Sequence, residues 1–364
     1  MSKPIYIFLC TSLIVFASIS CYGQRSTANS LDNLFFLDMS VPDVPALKAI
    51  GSGTTNLLKP SDVKEFVAAF DAFNTNGSIT LPKSFAIEFS PGKALSKDWS
   101  IDSYQKNPLK YFLYNSALSI ATNEGNKQSN FGDHLSVGFR FSWAEEKGDI
   151  LRDKAFITST AVPLFGSIHS RRVQIEDNYK AKKGIPPAMP LTTKQKEDVL
   201  KEMESDEIGE MVKKYSQDNW NATRIDIALA WTGETIDSLA ENLHASSFAF
   251  WTTLAFRLGS HGQFIVGPNF HWFKTGDVEG KKIETSIPTR FYIGSNNIKG
   301  FIEYELKIVK LQNDEDQNSG TFNSGFEFRV KNDFWITYSA GIKNFFDSDS
   351  KFVTNLKVNY ALSH

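Results

Sequence analysis

The stretch IKGFIEYELKIVK, Ile298 to Lys310, decides how the rest of the chain is interpreted. Apolar and charged side chains alternate along it: Ile298, Ile302, Tyr304, Leu306 and Ile308 against Lys299, Glu303, Glu305 and Lys307. A β-strand points successive side chains to opposite faces of a sheet, which gives this period of two. On an α-helix the four charges would scatter around the axis. The stretch therefore predicts a β-strand with one apolar face and one charged face.

The same alternation recurs along the chain. Eleven strands are predicted, at Ser84–Ser90, Tyr111–Ala121, His134–Ala144, Thr223–Thr232, Ser247–Leu258, Phe264–Phe273, Ile287–Gly294, Ile298–Lys310, Thr321–Val330, Phe334–Lys343 and Phe352–Leu362. A sheet that is apolar on one face and charged on the other over so many strands indicates a transmembrane antiparallel β-barrel, with lipid outside and a polar lumen inside. Because single-chain bacterial barrels have an even number of strands, we expect about twelve. The twelfth is expected at Ala155–Pro163 or near the N-terminus.

The connections between these strands differ in length. Tight turns are predicted at Ser260–Gly262, Ser295–Asn297 and Lys331–Asp333, and longer polar loops at Leu311–Gly320 and Phe345–Ser350. Outer-membrane barrels have short periplasmic turns and longer external loops. The asymmetry therefore favours the same fold class.

The N-terminus has the pattern of a secretory signal peptide at residues 1–23, with a lysine, an apolar run and a small-residue end. Cleavage is expected after Gly23, and the alternative is lipidation at Cys21. Cleavage at Gly23 would remove both cysteines and exclude disulfides and thiolate sites. Residues 24–78 show no alternation, but Asp62–Phe73 predicts a helix capped by Ser61. This segment is expected either at the periplasmic rim of the barrel or as a plug inside its lumen.

The region 79–364 is assigned to the barrel, with a helical insertion at about 145–220 where the alternation stops. Thr192–Gln217 predicts a helix, and Arg171–Pro190 is interpreted as a basic, proline-containing connector. A segment this long between strands is expected to fold by itself.

Charge and composition restrict the partners. The net charge is -2 and 22% of residues are charged, so the chain has no basic field to attract nucleic acid. Aromatic residues make up 13%, which suits an apolar belt with aromatic girdles in a membrane. Outer-membrane lipid is therefore the expected surrounding, and no cofactor is predicted.

Thirteen inward-facing side chains are the candidate lumen-lining residues. They are Arg140, Arg224, Asp226, Arg257, His271, Arg290, Lys299, Glu303, Glu305, Lys307, Glu327, Arg329 and Lys357. Both signs of charge occur on adjacent strands. Two interpretations remain open: a paired network that fills a narrow lumen, or a water-filled passage whose selectivity these groups set.

An enzyme within the barrel wall is the alternative of a different class. None of the six histidines stands in a nucleophile motif, and His261 and His271 are interpreted as structural, so no catalytic residue is assigned. No metal site is assigned either, although Asp314-Glu315-Asp316 has the ligands that calcium prefers. Asn221-Ala222-Thr223 fits an N-glycosylation acceptor, a pattern that also occurs by chance.

The pattern as a whole resembles Gram-negative outer-membrane β-barrel proteins from about Ser84 onward, and the signal end Cys21-Tyr22-Gly23 before Gln24 looks like those of Bacteroidota envelope proteins. The resemblance implies an outer-membrane location and insertion by the barrel assembly machinery. Many such barrels end in an aromatic residue that this machinery reads, whereas this chain ends at His364.

These observations lead to a small-solute channel or transporter, or an envelope accessory protein with a charged lumen, as the expected function. The alternatives are a barrel-embedded hydrolase, a non-conducting scaffold that binds an envelope protein through the insertion, and a soluble secreted β-sandwich.

Overall fold

A computed structural model describes residues 42, 44–51, 57–60, 63–75, 78–96, 99–124, 132–192, 194–195, 207–274, 281–311, 316–331, 334–345 and 350–360. The predicted signal peptide and its cleavage site lie outside these residues. The described residues belong to one compact unit, Leu37–His364.

The fold is dominated by one large sheet. The strands of the described residues are β1 (Leu57–Leu58), β2 (Asn74–Thr75), β3 (Ser78–Ile79), β4 (Ser84–Phe89), β5 (Ser116–Asn123), β6 (Asp133–Ala144), β7 (Arg224–Thr235), β8 (His244–Leu258), β9 (Gly262–Val266), β10 (Asn269–Phe273), β11 (Lys281–Gly294), β12 (Ile298–Leu311), β13 (Gln317–Lys331), β14 (Phe334–Lys343) and β15 (Lys351–Tyr360). Except for β2 and β3, which form a separate hairpin, they join in the order β1-β4-β5-β6-β7-β8, then β9 with β10, then β11 to β15. All pairs in the large sheet are antiparallel except β1 with β4, which is parallel. The prediction of a mostly antiparallel β protein is confirmed.

Apart from two short 3-10 turns at Glu146–Gly148 and Ala240–Asn242, the described residues also contain helices. They are α1 (Pro45–Ala49), α2 (Val63–Ala68) continued by a 3-10 turn (Ala69–Phe73), α3 (Pro91–Leu95), α4 (Ile101–Lys106), α5 (Pro108–Tyr114), α6 (Lys154–Phe156) continued by a π-helical turn (Ile157–Ala161), α7 (Val162–Lys183) and α8 (Glu207–Asp218). Among the helices of these described ranges, none is long and apolar enough to span a membrane.

Several predicted elements were wrong. Ala155–Pro163 is helical and not a twelfth strand, and the helix α7 runs through most of the segment predicted as a connector, Arg171–Pro190. The predicted strand Tyr111–Ala121 begins only at Ser116, because Asn107 caps α5 and its side chain accepts hydrogen bonds from the Leu109 and Lys110 amides. The helix predicted at Asp62–Phe73 is present as α2 and its 3-10 turn.

The predicted strand Phe264–Phe273 is divided in two. Between β9 and β10 lie Gly267 and Pro268, and Pro268 has no amide hydrogen to donate. Both halves pair with the same neighbours, β8 and β11, so they take the place of one interrupted strand. With β9 and β10 counted as one, eleven strands run from β4 to β15, and the chain reverses direction ten times between them, so these two outermost long strands run the same way.

Antiparallel order fixes which connections share an end of the sheet. The turns at 259–261 and 295–297 lie at one end, which we call the short-turn end. Helices α3 to α5, between β4 and β5, and the helical segment between β6 and β7 lie at this same end.

The two faces of the sheet differ in burial. On the apolar face Ile302 is 51% exposed and Phe326 is 37% exposed, and a row of further aromatic and aliphatic side chains is exposed beside them. On the opposite face, called the polar face, Glu303 and Asn323 have no exposed surface. Apolar residues exposed on one face and polar residues buried on the other are both informative departures from the usual distribution, and exposed apolar patches mark interaction surfaces.

The N-terminal segment covers the β4 edge from both sides. Helix α1 lies on the polar face, β1 pairs along the edge of β4 at Ala86 and Ile87, and α2 packs on the apolar face. There Phe66 stacks on Phe89 with ring centroids 4.5 Å apart. The chain therefore passes from one face of the sheet to the other around this edge.

Candidate functional site: the polar face of the sheet

Five of the candidate lumen residues meet in one network on β11, β12 and β13. The carboxylate of Glu303 pairs with the guanidinium of Arg290 and accepts a hydrogen bond of 3.4 Å from Nδ2 of Asn323. Arg290 also donates to the hydroxyl of Tyr292 (2.7 Å), which donates in turn to Oε1 of Glu327 (2.9 Å). Because buried charges are costly unless paired, this network is what lets Glu303 remain on the polar face.

Lys299 and Arg329 complete this network with aromatic contacts. The ammonium of Lys299 lies 4.4 Å from the ring centroid of Trp220, 5.1 Å from that of Trp335 and 5.5 Å from that of Tyr292. The guanidinium carbon of Arg329 lies 5.0 Å from the centroid of Trp335. These distances are those of cation–π contacts. Trp220 follows helix α8, so it connects the helical insertion to the polar face.

Other predicted residues form separate ion pairs. Arg140 contacts Glu88 at 3.5 Å, and Lys307 contacts Glu284 at 2.7 Å. Arg257 contacts Glu145 at 3.3 Å, at the start of the insertion.

Among the predicted residues whose side chains are described, four lie outside the network and these pairs. Arg224 is exposed at the start of β7, whereas Asp226 and Glu305 are partly buried. The ring of His271 stacks on Phe273 with centroids 4.0 Å apart. Lys357 is on β15, and its side chain lies outside the described part of the chain. The polar face is thus several local pairings and not one continuous ionic row.

A wall of small residues lies on the polar face of β4 to β8, beside the charged residues of these strands, and α1 rests on it. The wall consists of Ala86, Ser119, Ala121, Ser136, Gly138, Ala228, Ala230 and Ala249, on β4 to β8. Ala46 of α1 is fully buried against it, and its amide donates to Oγ of Ser119 at 3.2 Å. A Cβ at Gly138 would lie 2.7 Å from the Ala46 nitrogen, so only glycine leaves room for α1 there. Helix α1 therefore lies on the polar face of the sheet, whereas the helix predicted in the N-terminal segment, present as α2, packs on the apolar face.

The helical insertion is anchored at the short-turn end by buried tyrosines. Tyr104 of α4 donates to Oδ2 of Asp149 (2.8 Å), and Tyr215 of α8 donates to Oδ2 of Asp153 (3.2 Å). Burial raises the pKa of both phenols above the ordinary value of 10.0, so they remain donors at neutral pH. In contrast, Arg171 of α7 forms a two-point pair with Glu207 of α8, which ties the two long helices together.

Asn221 is not available as a glycosylation acceptor in this structure. Its side chain is 1% exposed, and its Nδ2 donates to the carbonyl oxygens of Gly259 (3.1 Å) and Gly262 (3.0 Å). Its Oδ1 accepts from Arg257. The motif therefore has a structural role, in which Asn221 closes the β8–β9 turn.

His261 and the acidic triplet Asp314-Glu315-Asp316 are the residues that the sequence analysis considered for catalysis and for a metal ion. His261 and Ser260 are neighbours in an exposed turn, with Nδ1 2.6 Å from Oγ. Within the described ranges, no group of three His, Cys, Asp or Glu side chains is placed to hold a metal ion. Asp314 and Glu315 of the acidic triplet lie outside those ranges.

The aromatic members of the network were missed in the sequence. Phe301, whose ring centroid lies 5.5 Å from the guanidinium carbon of Arg290, was not assigned to the site, and neither were Trp335 and Trp220. Phe301 and Trp335 occupy inward positions by the period of two. The spacing could have identified Phe301, because a residue two positions away from Glu303 on the same strand points to the same face of the sheet. No comparable signal marks Trp220, which reaches the network from a helical segment.

The chain was compared with protein families, curated proteins and solved structures. No family model, no curated protein and no solved structure matches the chain.

Proposed function

We propose that the chain is an outer-membrane β-barrel that is closed in its resting state and acts as an envelope accessory protein. The observation that carries this is the sidedness of the sheet: exposed aromatic and aliphatic rows on one face, and buried ionic pairs on the other. Lipid is the environment in which such an exposed apolar face is stable. A β-sandwich would instead need a second layer over Ile302 and Phe326, which are exposed.

Closure of the sheet is part of the proposal. In a closed barrel β15 would meet the edge formed by β4 and β1, and because β4 and β15 run the same way, the seam would be parallel. Membrane barrels with an odd number of strands exist. The N-terminal segment, which lies along the edge of β4, would be built into this seam.

The closed state is supported by two features of the polar face. Helix α1 occupies the wall of small residues on β4 to β8, and paired charges with aromatic rings occupy β11 to β14. In an outer-membrane barrel the short-turn end faces the periplasm. The helical insertion would then extend into the periplasm, where an envelope protein could bind it.

A gated channel is the second candidate, and one observation favours it. Helix α1 rests on alanine, serine and glycine, so few large side chains hold it in place. A segment seated in this way can leave the wall without breaking the ionic network.

The first experiment asks whether the chain is a membrane barrel. Extraction only by detergent, and gel migration that changes on heating, are the expected results. Release into the soluble fraction without detergent would refute the barrel.

The second experiment separates the two functions by single-channel conductance in planar bilayers. The mature chain is compared with a variant that lacks residues 24–51. We expect no steady conductance from the mature chain. Steady conductance only after the deletion would favour the gated channel, and steady conductance from the mature chain would refute the closed state.

A further inference from the structure

Lys299, Arg329, Trp335 and Trp220 form a group at the short-turn end that we call the cationic cluster. The first three occupy β12, β13 and β14, where Arg329 pairs in register with Trp335 and Lys299 with Glu327. The indole of Trp335 contacts both cations, at 5.1 Å from Lys299 and 5.0 Å from Arg329. All of these groups lie within reach of one small ligand.

The charges around the cluster do not balance among the described residues. Glu303 is paired with Arg290, and Glu327 accepts the hydrogen bond from Tyr292. Lys299 and Arg329 are then two cations close to one carboxylate, that of Glu327, which lies opposite Lys299 in the register, so the group carries an excess positive charge.

The cluster also has unused hydrogen-bond donors. Nε of Arg329 is buried without a hydrogen-bond partner in the described part of the protein. The contacts of Lys299 described there are with aromatic rings, and a ring face satisfies charge but not the directional N–H donors of an ammonium. A buried hydrogen-bond donor without an acceptor is unfavourable, so a ligand that accepts hydrogen bonds would be stabilised at this group.

We propose that the cationic cluster is a binding site for an oxyanion, a phosphate or carboxylate group that accepts from Lys299 and Arg329. A guanidinium and an ammonium together are the donors that proteins use for such groups. The flat ring of Trp335 would support an unsaturated part of the ligand. Because the site needs only the sheet and the connector that carries Trp220, it stands whether or not the chain is a membrane protein.

The test is titration of the purified full chain in non-ionic detergent with inorganic phosphate, at constant ionic strength set by chloride. Saturable binding is expected, and Lys299→Met and Arg329→Gln should each weaken it about tenfold or more. Lys310→Met is the matched control, because it removes the same charge from an exposed position on the same strand. Binding that is no tighter for phosphate than for chloride, or an equal loss in Lys310→Met, would overturn the proposal.

A second measurement does not depend on the folding of the charge variants. Iodide, an anion that quenches indole fluorescence, should quench a component of the emission that Trp335→Phe removes, and phosphate should protect this component. Quenching that is the same in the wild type and in Trp335→Phe, or that phosphate does not reduce, would contradict an anion at this ring.

Discussion

At the scale of single residues, the buried ion pair of Arg290 and Glu303 is the contact of the polar face whose loss we expect to destabilise the protein most. The side chain of Glu303 has no exposed surface and that of Arg290 is 13% exposed. Such a pair adds little net stability when it replaces apolar residues, but losing one partner leaves an uncompensated charge.

Arg290→Gln is therefore expected to lower the free energy of unfolding by about 3–5 kcal/mol. The double variant Arg290→Met with Glu303→Met should recover most of this loss, because no charge is left buried. Urea unfolding of the wild type and of these two variants in lipid vesicles measures both effects. A single variant as stable as the wild type would show that Glu303 is solvated or otherwise neutralised.

Gly138 is the residue on which the packing of α1 against the sheet depends. A Cβ there would meet the backbone of Ala46, whereas at Gly300 the nearest atoms would be 3.9 Å away. Gly138→Ala should destabilise the seated α1 by about 1–3 kcal/mol, as overpacking does.

The seating of α1 can be measured with a thiol at position 46. In a background without Cys10 and Cys21, Ala46→Cys should react faster with a maleimide when Gly138→Ala is present. Gly300→Ala is the control and should leave the rate unchanged. Equal rates in both backgrounds would mean that α1 is not held against Gly138.

At the scale of elements, helices α7 and α8 of the insertion form a unit that we call the arm, and the contact between Phe156 and Tyr215 is its base. Helix α7 has 22 residues, about 33 Å of helix, and it contacts α8 through Arg171 and Glu207. At the base, Phe156 packs on Tyr215 with ring centroids 4.4 Å apart. The arm can therefore move as a unit if this base loosens.

We expect the base to loosen at alkaline pH. Burial raises the pKa of Tyr215 above its ordinary value of 10.0. The contribution of the protonated phenol to the stability of the folded base is therefore complete below pH 10 and decreases as the pH rises above that value. Limited proteolysis of the arm between pH 8 and 11 measures this, and Tyr215→Phe should show higher cleavage at pH 8 with a smaller rise toward pH 11.

Ser216→Ala is the control for this series, because the Ser216 hydroxyl bonds only back to the Val212 carbonyl on an exposed helix surface. An unchanged pH response in Tyr215→Phe would exclude Tyr215 as the titrating group.

At the scale of the whole molecule, lipid contact is the property that decides the proposal. Ile302 pairs with Ser324 near the middle of β13, whereas Ile298 begins β12 at the short-turn end. A charge on the lipid face costs about 2–4 kcal/mol at the bilayer midplane and about 0–1 near the interface. An exposed position in a soluble protein would be close to neutral at both sites.

Ile302→Arg should therefore destabilise the folded protein in lipid vesicles by about 2–4 kcal/mol, and Ile298→Arg by much less. Equilibrium unfolding in vesicles gives both values. If the two variants are equally stable, the apolar rows do not contact acyl chains.

Much of the sheet could be predicted from the sequence, because alternation is local. In Ile298 to Lys310 and Thr321 to Val330, the period of two predicts the face to which each side chain points, and the tertiary structure agrees with it. The prediction failed at Tyr111 to Tyr114 and at Ala155 to Pro163, where apolar residues are helical. Short apolar runs of this kind do not distinguish a strand from a buried helix.

The sequence by itself determined which residues share a face, since strand geometry assigns faces from spacing alone. Only the tertiary structure decided that α1 lies on a wall of small residues, that the arm lies at the short-turn end, and that Trp220 reaches Lys299. These features depend on contacts between residues far apart in the chain, and no local periodicity records which distant segments meet.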